Sequence, residues 1–138
     1  MKVTFYKSIK DVSPYQNKDV GFYLDRIKNG KSEQLCKDLR FSTDKEERKS
    51  IKMQLPVVTF GGDFSKRNNA SLRKASGLLT LDFDEVQDIP ALIVELKAHK
   101  SIFSCWTSPS GNGVKALVKI PIDIRIIRLK ASSCNIFP

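Results

Sequence analysis

The sequence predicts an α+β fold in which a basic helical N-terminal part packs on a mixed sheet. Residues 1–54 show helical spacing of apolar side chains among many charged ones. Residues 55–121 instead alternate between β-branched or aromatic runs and turn residues. Apolar residues make up 41% of the chain and charged residues 28%, which is the composition of a globular domain and not of a disordered one.

The first part predicts one strand followed by three helices. Residues 3–6 alternate between apolar and polar side chains and predict the strand, and residues 14–17 predict a loop before an amphipathic helix. A second helix is expected to begin near Ser32. The third helix follows a capping box at residues 43–46 and is expected to end before Pro56.

The second part predicts the order β-α-β-β after an initial strand at residues 57–60. The apolar run at residues 77–84 predicts a strand, and Asp88 predicts the N-cap of a helix. Residues 102–107 and 114–120 predict a hairpin, because a Gly-rich turn lies between them. This order is most of a β-α-β-β-α-β unit of the ferredoxin or RRM-like type, without its last helix and strand.

Positive charge is concentrated in the first half of the chain. The whole chain has 24 Lys and Arg against 15 Asp and Glu, a net charge of +9. Residues 1–75 carry 17 basic and nine acidic side chains, hence +8, and residues 76–138 carry +1. Such an excess favours a polyanionic partner, most simply nucleic acid, while a solubilising basic surface is the alternative that charge alone leaves open.

Cysteine usage and hydropathy narrow the class of protein. The three cysteines (Cys36, Cys105 and Cys134) show no CxxC spacing and His99 is the one histidine, which argues against a disulfide framework and a Cys/His zinc site. The longest apolar run, residues 89–94, is far shorter than a bilayer requires, and the N-terminus shows no signal segment. We therefore expect a cytoplasmic protein without a membrane partner.

The strongest candidate for chemistry is the pair of acids at the end of the strand over residues 77–84. Residues i and i+2 of a strand share a face, so Asp82 and Asp84 are expected to project side by side. Mg²⁺ and Mn²⁺ prefer such oxygen ligands and complete their shells with water and phosphate oxygens. The pair therefore predicts a metal site, with solvated acids that cap the next turn as the alternative.

The turn before the last strand predicts a phosphate site. Gly111 and Gly113 permit close backbone approach to an anion, Ser110 supplies a hydroxyl, and Lys115 supplies a point charge. An ordinary hairpin turn is the alternative, because Asn-Gly is a common hairpin sequence.

A basic loop is the third candidate. Lys66, Arg67 and Arg73 predict contacts with a nucleic-acid backbone or a triphosphate, with an exposed basic turn as the alternative. Trp106 is expected to pack in the core, with stacking on a base as the alternative.

In their order, the motifs resemble the VirE N-terminal domain family of primase-like proteins of phages and mobile elements. They read VTFYKSI, LDRIKNGK, QLPVVTFGGDFSKRNNASLRKASGLLTLDFD and SPSGNGVKALVKIP. That family is similar in turn to the archaeo-eukaryotic primase-polymerase core. The resemblance covers residues 1–121, whereas residues 122–138 do not match and are expected to be a truncated or frameshifted end.

The resemblance implies a fold of primase-polymerase type and a nucleotidyltransferase domain, incomplete in this chain, that acts in DNA replication of a phage or mobile element. Asp82 and Asp84 would be its catalytic, metal-binding acids, with Mg²⁺ or Mn²⁺ as cofactor. The second motif would be Ser110, Gly111, Gly113 and Lys115, where the lysine replaces a histidine that this core usually has.

The resemblance also implies partners: a nucleoside triphosphate and DNA or RNA as template. A protein-interaction or regulatory domain attached to a helicase domain or protein is a further alternative. The third acidic motif of that core has no convincing counterpart in this sequence. The alternative is a nucleic-acid-binding module without catalysis, which the charge of residues 1–75 favours and which needs no third acid.

Overall fold

The computed structural model describes residues 1–122 and the backbone of Asn135–Ile136. These residues form four α-helices and nine β-strands, so the predicted α+β class is confirmed. The helices are α1 (Val20–Lys28), α2 (Glu33–Phe41), α3 (Lys45–Gln54) and α4 (Ile89–Ala98). The strands are β1 (Lys2–Tyr6), β2 (Gln16–Asp19), β3 (Val57–Thr59), β4 (Gly62–Phe64), β5 (Leu72–Ala75), β6 (Leu78–Phe83), β7 (Ile102–Thr107), β8 (Val114–Lys119) and β9 (Asn135–Ile136).

The strands form three small antiparallel sheets in the described residues. The first sheet has the order β2-β1-β3-β9, the second is the β4-β5 hairpin, and the third has the order β6-β8-β7. In the third sheet β8 lies between β6 and β7 and runs antiparallel to both. The flanking strands β6 and β7 are therefore parallel to each other and are joined by α4, which is the split β-α-β arrangement. The predicted β-α-β-β order is confirmed.

Local side-chain chemistry explains where the helices begin. The Asp88 carboxylate accepts a hydrogen bond from the Ala91 amide at 2.9 Å, so it caps α4 as predicted. For α3 the N-cap is Asp44, whose carboxylate accepts from the Glu47 amide at 2.7 Å. The predicted capping box, which began at Thr43, is therefore wrong by one residue.

Two predicted loops contain strands. Residues 16–19 form β2, which pairs with β1, although the sequence predicted a loop over residues 14–17. The segment after β3 forms the β4-β5 hairpin, where the sequence predicted a polar loop. These three strands, β2, β4 and β5, are only three or four residues long, too short to show the period-2 pattern that predicts a strand. Backbone pairing with neighbouring strands holds them in place.

Two apolar clusters hold the described elements together. The main core lies between the first sheet, α1 and the third sheet, and Trp106 is part of it, as predicted. Its buried members are Val3, Phe5, Val20, Tyr23, Val58, Phe60, Leu78, Trp106 and Leu117. A smaller cluster joins α2 to α3 through Cys36, Leu39, Ile51 and Leu55.

In the part of the chain that the structure describes, no helix is long and apolar enough to cross a membrane. The predicted non-matching end, residues 122–138, lies outside the described residues except for Ile122 and the backbone of Asn135–Ile136.

Candidate functional site

A cavity of about 210 Å³ lies between the α2–α3 helices and one end of the third sheet. Its walls come from α2, α3, the end of β6, the loop between β7 and β8, and β8 itself. The lining residues are Leu39, Lys52, Leu55, Asp82, Asp84, Ser108, Pro109, Ser110 and Lys115. The fold thus brings four of the residues singled out in the sequence, Asp82, Asp84, Ser110 and Lys115, to one cavity.

Asp82 and Lys115 form an ion pair in the wall of this cavity. They lie opposite each other on β6 and β8, and the Lys115 Nζ donates to the Asp82 Oδ1. The Lys115 side chain is only 10% exposed, whereas the Asp82 side chain is 45% exposed. A cation this buried needs a partner, and the Asp82 carboxylate supplies it. The pair therefore fixes the lysine ammonium at the cavity and occupies one carboxylate oxygen of Asp82.

Asp84 lies one residue beyond the end of β6 and is exposed. Its side chain makes no hydrogen bond or ion pair with any described residue, in contrast to Asp82. The turn that follows is tight, because Glu85 has a left-handed φ of 54° and the Val86 amide donates to the Asn112 carbonyl at 2.9 Å. The carboxylate of Asp84 is thus held at the cavity and open to a ligand.

The glycines of the β7–β8 loop have structural reasons of their own. Gly111 has a φ of +81°, and a Cβ there would lie 2.9 Å from the Arg40 Nε. A Cβ at Gly113 would lie 2.4 Å from the Phe83 carbonyl oxygen, which is backbone and cannot move aside. Gly113 is therefore required for the close approach of this loop to β6. A phosphate contact through these glycines stays a prediction.

Hydroxyl groups of the same loop face the cavity. The Ser108 and Ser110 Oγ atoms lie 3.2 Å apart, and the Ser110 hydroxyl donates to the Asn112 Oδ1 at 2.7 Å. The Ser108 amide donates to the Gly113 carbonyl at 2.8 Å and closes the loop. These contacts hold two hydroxyl groups, each able to donate or accept, in the wall of the cavity.

Arg40 of α2 ties the loop to the helices. Its Nε donates to the Pro109 carbonyl at 3.1 Å and its Nη2 donates to the Ser108 carbonyl at 3.0 Å. Arg40 was not predicted from the sequence as a site residue, and neither was Lys52, which lines the cavity from α3. Neither residue is part of a motif, and Arg40 is 68 residues from Ser108 in the chain, so no local signal identifies them.

The third candidate from the sequence, the basic loop, is not at this cavity. Lys66 and Arg73 are exposed, in and beside the β4–β5 connection. Arg67 supports the chain after β1: its amide donates to the Val12 carbonyl at 2.9 Å and its Nη2 donates to the Ile9 carbonyl. The guanidinium of Arg67 therefore has a structural role, and the predicted phosphate contacts of all three residues stay predictions.

The donor set at the cavity fits a divalent cation that binds together with a phosphate. Among the described residues there is no cluster of three or more His, Cys, Asp or Glu side chains that would hold a metal ion alone. Mg²⁺, however, is commonly bound by one or two carboxylates plus substrate phosphates and waters. Asp84 and the second oxygen of Asp82 meet that requirement, and Lys52 and Lys115 supply positive charge for the phosphates.

The cysteines in the described part of the chain lie outside this cavity. Burial raises the pKa of the Cys36 thiol, which packs between α2 and α3, and of the Cys105 thiol on β7. Both thiols are therefore held in the neutral form, which is a poor nucleophile.

A family model, described as the BT4734-like, N-terminal domain, matches residues 50–126, more than half of the 138-residue chain. No curated protein and no solved structure matches the chain. The matched family differs from the VirE N-terminal domain family that the motifs predicted, so that assignment is wrong, and the likeness to the primase-polymerase core drawn through it has no support. The matched residues include the third sheet, α4 and both acids at the cavity, and the chain belongs to the family of BT4734-like N-terminal domains.

Proposed function

We propose that this chain binds a nucleoside triphosphate together with Mg²⁺ or Mn²⁺ at the cavity between α2–α3 and the third sheet. The observation that carries the proposal is the composition of that cavity. Two carboxylates, two lysines and two serine hydroxyls line the same 210 Å³. Carboxylates suit the cation, and lysines and hydroxyls suit the phosphates.

Each side chain then has a definite role. Asp84, which has no partner among the described residues, is the principal ligand of the cation, and Asp82 contributes the oxygen that Lys115 leaves open. When bound, the cation neutralises phosphate charge. Lys115 and Lys52 hold the phosphate oxygens, and the ion pair with Asp82 fixes the position of the Lys115 side chain, which is nearly buried. At about 210 Å³ the cavity suits the phosphates, with the sugar and base at its mouth.

Nucleotidyl transfer is the wider activity that such binding would serve. In that reaction a 3′-hydroxyl attacks the α-phosphate while metal ions stabilise the developing charge. Two-metal chemistry of this kind ordinarily uses a third carboxylate, and the described residues supply two. We therefore propose binding as the function of this domain, and transfer in DNA replication only as the context in which the bound nucleotide would be used.

The test is a titration with a fluorescent nucleoside triphosphate, with and without Mn²⁺. We expect nucleotide binding to require the metal, because neither the two acids alone nor the phosphates alone complete the coordination shell of the cation. Asp84→Asn should weaken metal-dependent binding at least about ten-fold, as expected for loss of a charged ligand. Asp25→Asn, a change of the same type on an exposed residue of α1, is the matched control and should bind like the wild type.

A second pair of variants tests the lysine role. Lys52 lines the cavity, whereas Lys49, one helical turn earlier on α3, lines a separate open groove. Lys52→Gln should weaken nucleotide binding without removing its metal dependence, and Lys49→Gln should leave it unchanged. Two results would contradict the proposal. One is the same nucleotide affinity with and without Mn²⁺, and the other is the same affinity in Asp84→Asn as in the wild type.

A nucleic-acid-binding module without catalysis is the second candidate function. The net charge of +8 on residues 1–75 favours it. Metal dependence distinguishes the two candidate functions. Binding of a nucleic-acid backbone weakens as the salt concentration rises, and neither Mn²⁺ nor Asp84→Asn should change it.

A further inference from the structure

Four aromatic side chains form a continuous series of ring contacts beside the first sheet. Tyr15 packs edge-on against Phe5, with ring centroids 6.1 Å apart. Phe5 stacks on Tyr23 at 5.4 Å with an angle of 8° between the rings, and Tyr23 meets Phe22 edge-on at 5.2 Å. We call these four residues the aromatic row. All three separations lie in the range of favourable aromatic pairs.

The middle of the aromatic row is buried and its two ends are exposed. Phe5 and Tyr23 are 5% and 0% exposed and belong to the main core. Tyr15 and Phe22 are 57% and 39% exposed. The Tyr15 amide also donates to the Phe5 carbonyl at 2.9 Å. The exposed rings are therefore anchored on a rigid support, so a ligand that stacks on them orders little new structure.

Basic side chains lie over the same rings. The Lys7 Nζ is 4.0 Å from the centroid of Tyr15, and the Lys18 Nζ is 4.3 Å from the centroid of Phe22. Both lysines are exposed. A third cation, the Arg26 guanidinium, lies 5.4 Å from the Phe5 centroid. Each exposed end of the row therefore combines an aromatic face with a positive charge.

We propose that the aromatic row, with Lys7 and Lys18, binds a single-stranded nucleic acid. Surfaces that bind single strands combine aromatic rings, on which bases stack, with positive charges along the backbone. Tyr15 and Phe22 supply the first feature, and Lys7 and Lys18 supply the second. A duplex presents no free base faces to such rings, so the chemistry selects single strands.

The net charge of +8 on residues 1–75, which contain the whole surface, complements a polyanion. This proposal rests on the second candidate function, nucleic-acid binding, and names its surface. It does not rest on the nucleotide cavity.

The first experiment measures fluorescence anisotropy of labelled oligo(dT), oligo(rU) and a duplex of the same length. The wild type should bind a single strand more tightly than the duplex. The double variant Tyr15→Ala/Phe22→Ala should lose roughly ten-fold or more in affinity, because it removes the two rings on which bases stack. Phe41→Ala is the matched control, because Phe41 is 84% exposed but contacts no ring of the row, and it should bind like the wild type.

The second experiment varies the salt concentration. In Lys7→Gln/Lys18→Gln the affinity should fall less steeply with salt than in the wild type. The magnitude of the slope of log K against log salt should decrease by about 1.4, which corresponds to two phosphate contacts with a single strand. Lys97→Gln/Lys100→Gln, a change of equal charge on and just after α4, should leave the slope unchanged. Tyr15→Trp keeps a stacking ring and should retain affinity, so it separates lost stacking from a disturbed fold if the alanine variant is unstable.

The possible outcomes distinguish an error in the proposed binding surface from an error in the proposed nucleic-acid binding. A wild type that binds no single strand overturns both nucleic-acid binding and this surface. A wild type that binds, with alanine variants as tight as Phe41→Ala, overturns the surface and leaves nucleic-acid binding standing. A preference for the duplex also overturns the proposal.

Discussion

The first and third sheets differ in how deeply they are buried. In the first sheet, β1 buries four of its five residues and β3 buries all three. In the third sheet, β6 buries only Leu78 and β7 buries only Trp106, although both strands are rich in apolar residues. The central strand β8 is buried over its first four residues.

The difference explains where a polar site is tolerated. A carboxylate in the interior of β1 or β3 would be desolvated without compensation, which costs several kcal/mol. At the accessible end of β6, Asp82 keeps 45% of its side chain exposed and needs only one buried partner, Lys115. The first sheet thus gives a rigid support for the exposed rings beside it, while the third sheet gives an accessible acidic edge.

The largest effect is expected at the loop end of the third sheet. Gly113→Ala places a Cβ 2.4 Å from a backbone oxygen and should lower the free energy of unfolding by about 3 kcal/mol. Gly61→Ala, in the turn after β3, meets nothing within 4 Å and should be neutral or stabilising by up to about 1 kcal/mol. Urea unfolding of both variants measures the difference. Equal free energies would mean that the loop does not approach β6 as closely as described.

A matched pair of Val→Ala variants tests the burial comparison itself. Val58 on β3 is 0% exposed, so Val58→Ala should cost about 2 kcal/mol through lost burial and the cavity left behind. Val118 on β8 is only half-buried, and Val118→Ala should cost less than about 1 kcal/mol. The same unfolding assay applies. A larger cost at Val118 would show that its end of β8 is packed as tightly as the first sheet.

The smallest effect concerns the pH dependence of the first sheet. Burial raises the pKa of Tyr23 to about 12, while a tyrosine in the unfolded chain titrates near about 10. The neutral phenol therefore stabilises the fold fully below about pH 10, and this contribution is lost as the pH rises towards about 12. The melting temperature of the wild type should fall more steeply over that window than that of Tyr23→Phe.

Tyr15→Phe is the control for that titration, because it removes the hydroxyl of an exposed tyrosine of the same aromatic row. If Tyr23→Phe and the wild type lose stability in parallel from pH 10 to 12, the Tyr23 hydroxyl is not desolvated in the folded state.

Much of the fold was predictable because local patterns carried it. An apolar run identified β6, and the Gly-rich turn between two strand-like segments identified β7 and β8. Asp88 identified the start of α4, since a cap bonds within one turn of its own residue. The errors were also local. The cap of α3 is Asp44, one residue after the expected Thr43, and β4 and β5 are short strands that neighbours hold in place. The family assignment from motifs was wrong, since the family model that matches residues 50–126 is that of the BT4734-like N-terminal domain.

The sequence alone determined that Asp82 and Asp84 lie close together where a strand ends and that positive charge is concentrated in residues 1–75. Only the tertiary structure decided which residues face those acids. Arg40 meets the Ser108 carbonyl across 68 residues of chain, and Phe5 joins Tyr15 and Tyr23 in one series of rings. Strand period and capping follow from backbone geometry within a few residues and can be read directly. Contacts between distant segments depend on the sum of many weak packing interactions, none of which leaves a local mark in the chain.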